Sequence, residues 1–218
     1  MGTRDRVGNY VSLWLYAIAF GFIEACVVVY LRELYLHEPV PGAGAALQVT
    51  EVALPAWTVR LELVREACTM VLLASVGWLA STRAAGRWGA FLVGFGVWDL
   101  MYYLTLRVVI GWPQSLGAWD ILFLIPVPWV APVWAPSLVA VLFVTVGSWL
   151  FLTADRPRHW RWSDAAPLLA GCVVIVGSFL VESGAAMAHR VPKTWPWWLY
   201  WFGLLVAVGA VVRAERRR

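Results

Sequence analysis

Long apolar stretches separated by short polar segments make up most of the chain. Several of these stretches approach the roughly 20 residues that an α-helix needs to cross a bilayer. Six of them are predicted to be transmembrane helices, with approximate bounds Tyr10–Leu36, Pro55–Ser81, Trp88–Ile110, Pro136–Thr153, Ala165–Ala188 and Trp195–Val212. The pattern predicts an all-α integral membrane protein, a six-transmembrane-helix bundle that forms one polytopic domain over residues 1–218.

Prolines break up the apolar stretch between the third and fourth predicted helices. They lie at Pro126, Pro128, Pro132 and Pro136. A proline removes a backbone donor and frees a carbonyl about one turn earlier, and such groups are tolerated at membrane depth only against protein or a water-filled cavity. We therefore expect a proline-broken, re-entrant half-helix over Asp120–Val133. One long kinked helix that runs on to Thr153 is the alternative.

Composition and charge indicate a membrane protein with a defined orientation. The chain is 61% hydrophobic and only 14% charged, far from the composition of an average soluble domain. Its arginines lie mainly in short loops and in the C-terminal tail, which is typical of topology determinants and not of a nucleic-acid-binding surface. Six crossings with both termini cytoplasmic place the arginine-rich loops on the cytoplasmic side of a bacterial-type plasma membrane. The lipid bilayer is the expected partner, and a homo-oligomer or other membrane subunits are compatible with the sequence.

Two predicted helices carry faces that are not uniformly apolar. In the first, Ala17, Gly21 and Ala25 form a stripe of small residues, which predicts a close contact with another helix. In the second, polar residues recur at helical spacing and share one face. These residues are Thr58, Glu62, Arg65, Glu66 and Thr69.

Ionisable residues and tyrosines interrupt the apolar helices at one predicted depth, in the extracytoplasmic half of the bilayer. A charge at the bilayer centre costs at least about 2.5 kcal/mol, so acids and arginines at one depth should pair with one another. Such pairing predicts a polar cavity that opens to the extracytoplasmic face. The candidate substrate- or proton-binding residues are Glu24, Glu62, Arg65, Glu66, Asp99, Tyr102, Tyr103, Arg107, Asp120 and Glu182.

The leading functional hypothesis is a small transporter or ion-coupled carrier. Broken helices often build the binding sites of transporters, and the charges cluster at one depth. Arg65 or Arg107 would bind an anionic group, and Asp99 or Glu66 would carry a coupling proton. Two other classes stay open. The acids could be the general acid and base of an intramembrane enzyme that acts on a lipid-like substrate, or the chain could be a non-catalytic subunit of a larger membrane complex.

Metal and cofactor chemistry receive little support from the sequence. Carboxylates at Glu24, Glu66, Asp99 and Asp120 suit a hard cation, but the arginines predicted nearby disfavour one, so no metal site is predicted. The three cysteines lie in apolar helices without a CxxC pair, which indicates neither a disulfide scaffold nor a zinc site. The sequence does not specify a cofactor.

Overall fold

The chain folds into seven helices and two short strands over the residues that the structure describes. This computed structural model describes residues 3–35, 55–158, 160–188, 190, 192 and 194–216. The helices are α1 (Thr3–Tyr35), α2 (Ala56–Leu79), α3 (Ala84–Ile110), α4 (Trp134–Leu152), α5 (Trp162–Leu180), α6 (Ser183–Met187) and α7 (Trp197–Arg216). The strands are β1 (Trp119–Phe123) and β2 (Trp129–Pro132). The helices overlap all six predicted ones, although Leu36, the predicted end of the first, lies outside the described residues.

Five helical segments are long and apolar enough to cross a bilayer. They are 6–35, 84–110, 134–152, 162–187 and 197–216. This arrangement fits the predicted helical, multi-pass membrane protein. The helix α2 is not among the five; four ionisable residues fall in its first half, at Arg60, Glu62, Arg65 and Glu66.

The predicted half-helix over Asp120–Val133 is wrong, and so is the alternative of one long kinked helix. This segment contains β1 and β2, which pair as a two-stranded sheet. Beyond the strands, the amide of Val133 donates to Ala118 and the amide of Trp134 donates to Leu116, both at 2.9 Å. Two of the prolines lie in the loop between the strands, where they break no ladder hydrogen bond, and the aromatic and β-branched residues on either side favour strands.

The described chain divides into two compact units, and the first contains α1 to α4. It consists of residues 1–120 and 132–155. Both α1 and α2 pack against α3, and α3 packs most extensively against α4. A Cβ atom added to Gly21 would lie 2.6 Å from the carbonyl oxygen of Trp98, so the small side of α1 meets the backbone of α3. The close contact predicted from Ala17, Gly21 and Ala25 is confirmed.

The second unit contains α5, α6 and α7 together with residues 121–131. The helices α5 and α7 approach most closely at Gly171 and Gly203, each facing backbone atoms of the other helix. Two ion pairs join the same end of this unit, Asp164 with Arg213 at 3.2 Å and Arg158 with Glu215 at 3.6 Å. The single polytopic domain expected over the whole chain stays a prediction.

Charged side chains join three segments at one end of the first unit. Arg6, near the start of α1, donates to the carboxylate of Asp155 and to the carbonyl oxygen of Leu152, the latter at 3.0 Å. Arg83, between α2 and α3, lies 3.0 Å from the other carboxylate oxygen of Asp155. The hydrogen bond from Arg6, with the further attraction of Arg83, lowers the pKa of Asp155 below its ordinary value.

This lowered pKa predicts a pH dependence of stability at this end of the unit. A carboxyl group whose pKa is lowered by folding stabilises the folded state above its ordinary pKa of about 4, and this contribution is lost as the pH falls through the lowered value. The unfolding temperature of the wild type should therefore drop more on acidification from about pH 6 to about pH 3 than that of Asp155→Asn. The exposed-acid variant Glu33→Gln should behave as the wild type, and an equal drop in Asp155→Asn would contradict the prediction.

Candidate buried charge site

A network of charged side chains joins α1 to α2 inside the first unit. Arg65 donates from one terminal nitrogen to the carboxylate of Glu24, and from Nε to Oε2 of Glu62 at 2.7 Å. Thr69 donates to the second oxygen of Glu24 at 3.4 Å. Glu24 and Glu62 are each only 8% exposed, and Glu66 is buried on the same face of α2. The pairing of acids with arginine that the sequence predicts is therefore present here.

A second polar group surrounds Asp120, which is 1% exposed at the start of the hairpin. The hydroxyl of Tyr103 in α3 donates to Oδ2 of Asp120 at 2.8 Å. The ring of Tyr103 also packs against Tyr102, with centroids 5.1 Å apart, and against Trp112, with centroids 6.1 Å apart. Apolar neighbours such as Val133 enclose these rings. The hydroxyl of Tyr103 thus holds the carboxylate of Asp120 at the start of the β-hairpin, away from solvent.

Asp99 lies one turn before the tyrosines on α3 and is half-buried. It is close enough to Asp120, Tyr102 and Tyr103 to interact with them electrostatically. Glu24 also interacts with Tyr102 in this way. The network on α1 and α2 and the group around Asp120 therefore adjoin each other, as one polar region in one half of the first unit.

Two of the predicted site residues lie elsewhere. Arg107 is exposed, and its guanidinium donates to the carbonyl oxygens of Gly111 at 2.7 Å and Pro113 at 3.0 Å. These bonds satisfy carbonyls at the C-terminal end of α3, which is a common role for an arginine in that position. Glu182 belongs to the second unit, where it is half-buried at the break between α5 and α6 and not inside one continuous helix as predicted.

Arg32 belongs to the polar region although the sequence argument did not place it among the candidate residues. It is 8% exposed, and its guanidinium lies 4.9 Å from the ring centroid of Trp112. Tyr102 and Asp120 are near enough to interact with it electrostatically. Its spacing in the sequence could have indicated this position, since Arg32 follows Glu24 by eight residues and so returns to the same side of α1.

Buried carboxyl groups outnumber guanidinium groups in this region. Within the residues that the structure describes, four buried carboxyl groups, those of Glu24, Glu62, Glu66 and Asp120, and the half-buried one of Asp99 lie in or beside it, against the two guanidinium groups of Arg32 and Arg65. Carboxyl groups in such excess can take up protons or cations. Among the described residues, no three His, Cys, Asp or Glu side chains come together in a group that could hold a metal ion.

Comparisons with known protein families, with curated proteins and with solved structures find no match to this chain. Its function is therefore inferred from the side chains described above. The most informative among them are the acids in excess, since they can exchange protons, and the arginines that lie beside them.

Proposed function

We propose that the chain is a small ion-coupled carrier whose site is the polar region of the first unit. The observation that carries this proposal is the excess of buried carboxyl groups over guanidinium groups. One of these acids would take up a proton on one side of the membrane and release it on the other. This cycle would couple proton movement to transport. Asp99 and Glu66 are the proposed proton carriers, since both acids lie in or beside this region and a carboxyl group can take up and release a proton.

Six membrane crossings, including α2, are part of this proposal. The polar residues of α2 point inward, with Thr58, Glu62, Glu66 and Thr69 all buried. Apart from Arg60 near the start of the helix, its exposed face is mainly apolar and includes Leu61, Val64 and Val71. This inverted pattern is expected of a helix whose outer face contacts lipid while its charges face the protein interior. With six crossings, both termini lie on the cytoplasmic side, as the arginine-rich loops favour.

The β-hairpin is the proposed re-entrant segment. Its second strand includes Val130 and Ala131, both fully buried. Backbone that is not helical is tolerated at membrane depth only where protein or a water-filled cavity covers it. A hairpin that enters from the extracytoplasmic side would therefore be covered by protein or by water instead of facing lipid.

Proton flux in vesicles tests the carrier proposal. The full chain is reconstituted into lipid vesicles that contain a pH-sensitive dye, and a panel of small organic anions, cations and neutral solutes is added outside. At least one solute should drive proton movement with the wild type. Asp99→Asn and Glu66→Gln should each abolish it while the protein remains folded, because an amide cannot release a proton at neutral pH.

The matched control is Glu33→Gln, since Glu33 is an exposed acid on α1 and lies outside the polar region. This variant should keep the wild-type rate. The carrier proposal fails if no solute moves protons, or if both Asp99→Asn and Glu66→Gln support normal flux.

An intramembrane enzyme is the second candidate, and the hydrogen bond from Tyr103 to Asp120 favours it. A carboxylate paired with a tyrosine in a water-poor site is an arrangement suited to general acid and base catalysis. Incubation of the purified protein with added lipid, followed by mass spectrometry of the lipid extract, tests this candidate. A product that forms with the wild type and not with Asp120→Asn would favour the enzyme over the carrier.

A further inference from the structure

Arg32 is a buried cation to which the described part of the chain offers no hydrogen-bond acceptor. Its side chain lies inside the first unit, 8% exposed, and none of its three guanidinium nitrogens has a partner among the described residues. A guanidinium carries five N–H donors, and donors buried without acceptors destabilise a folded protein. Nearly all such groups in proteins find a partner, so an unpartnered guanidinium points to a missing acceptor.

A second unused donor lies beside Arg32. The indole nitrogen of Trp112 is buried and also has no hydrogen-bond partner among the described residues. The guanidinium lies over the ring of this same residue. The face of the indole holds the cation in place by a cation–π interaction, which leaves the N–H groups of both side chains for a ligand.

Two further arginines of the first unit, Arg65 and Arg107, are engaged by the protein itself. Arg65 binds the carboxylates of Glu24 and Glu62, and Arg107 binds two backbone carbonyls. Asp120, which interacts with Arg32 electrostatically, accepts a hydrogen bond from Tyr103. The sequence favoured Arg65 or Arg107 as the residue that binds an anionic group, but Arg32 fits this role better because its donors remain unused.

We propose that Arg32 and Trp112 form a binding site for an oxyanion, the carboxylate or phosphate group of a small anion or of a lipid headgroup. The planar fork of a guanidinium matches the two oxygens of such a group, and an indole N–H adds a third donor. The guanidinium is enclosed in this structure, as expected of one state of a carrier that exposes its site alternately. The identification of this oxyanion as the transported group rests on the proposed carrier function, whereas the site itself does not.

Equilibrium binding to the purified full chain tests the site. Titration calorimetry in a neutral detergent uses sodium succinate and inorganic phosphate as probes, with sodium chloride at the same ionic strength as the blank. A wild-type protein that binds either probe and an Arg32→Lys variant that binds it about tenfold more weakly or worse would support the site, since lysine keeps the charge but loses the fork. Trp112→Phe keeps the ring and should weaken binding a few-fold by removing one donor. Arg60→Lys, at an exposed arginine of α2, should bind as the wild type does.

Nanodiscs distinguish a free anion from a lipid headgroup. Nanodiscs of phosphatidylcholine alone are compared with nanodiscs that also contain phosphatidylglycerol, and retained lipid is identified by native mass spectrometry. Phosphatidylglycerol retained by the wild type and lost in Arg32→Lys would support the site with a headgroup as its ligand. The inference is overturned if the wild type binds none of the three anions, or if Arg32→Lys and Trp112→Phe bind them as tightly as the wild type does.

The binding result and the flux result separate the two proposals. Binding that depends on Arg32, without any solute-driven proton movement, would keep the oxyanion site and reject the carrier. Proton-coupled flux that is abolished in Asp99→Asn but unchanged in Arg32→Lys would keep the carrier and reject the oxyanion as the group that it transports, while the binding measurements alone decide the site.

Discussion

Replacement of Arg65 by methionine is expected to lower the free energy of unfolding by about 3–5 kcal/mol, because it leaves buried carboxylates without their cation. Arg65 binds both Glu24 and Glu62, and each of these acids is nine-tenths buried. Methionine keeps an unbranched apolar stem and carries no charge, so the loss reports on the ion pairs more than on packing. The free energy is measured by titrating the folded protein in mixed micelles with a denaturing detergent.

Two further variants show whether the loss comes from the ion pairs. Arg60→Met removes an exposed arginine from the same helix and should change the free energy of unfolding by at most about 0.5 kcal/mol. The triple variant Arg65→Met, Glu24→Gln, Glu62→Gln removes the uncompensated carboxylates and should recover part of the lost stability. A loss below about 1 kcal/mol in Arg65→Met would show that Glu24 and Glu62 are not held as charged partners.

The helices and the α1–α2 network could be predicted because both depend on spacing along one helix. A run of about 20 apolar residues specifies a helix wherever it lies in a membrane bundle. Glu62 and Arg65 are three residues apart and share a face of α2 whatever the rest of the fold does. Glu24 lies beside the small-residue stripe of α1, which the structure places inside the unit. Local periodicity was enough to place Glu62 beside Arg65 and Glu24 on the inner side of α1.

The β-hairpin could not be predicted because short apolar segments with prolines have no reliable period. Residues 119–132 contain a single acid, Asp120, and otherwise apolar side chains and prolines, so neither a helical nor an alternating pattern stands out. Pairing of β1 with β2 depends on contacts made across the chain, as the bond from Val133 to Ala118 illustrates. The prolines do interrupt the helix between α3 and α4, as predicted, but an interruption does not specify the conformation that follows it.

The roles of the individual arginines also depend on geometry that the sequence does not contain. Arg32 and Arg107 both follow apolar stretches, whereas Arg65 follows Glu62 on a polar face of its helix. Arg107 lies in the last turn of α3, where free backbone carbonyls attract its guanidinium. Arg32 also lies in the last turn of its helix, but it is buried and meets Trp112, which is distant in sequence. Only the packing of α1 against α3 separates these roles.

Substitution of Gly96 by alanine is expected to destabilise the first unit by about 1–3 kcal/mol through overpacking between α3 and α4. A Cβ atom at this position would lie 2.5 Å from the carbonyl oxygen of Ala140 and 2.9 Å from a methyl group of Val144. The first of these atoms belongs to backbone, so it can move away only if the whole helix shifts. The change should be measured by the same detergent titration as for Arg65→Met.

Gly177→Ala is the matched control for this effect. Gly177 is also a helical glycine, but a Cβ atom there would meet nothing within 4 Å. Alanine favours a helix over glycine by up to about 1 kcal/mol, so this variant should be neutral or slightly more stable.

Gly96 precedes Asp99 by less than one turn, so a shift of α3 against α4 in Gly96→Ala should also slow any proton flux that depends on Asp99. Equal stability of the two variants would contradict the close approach of α3 and α4 at Gly96.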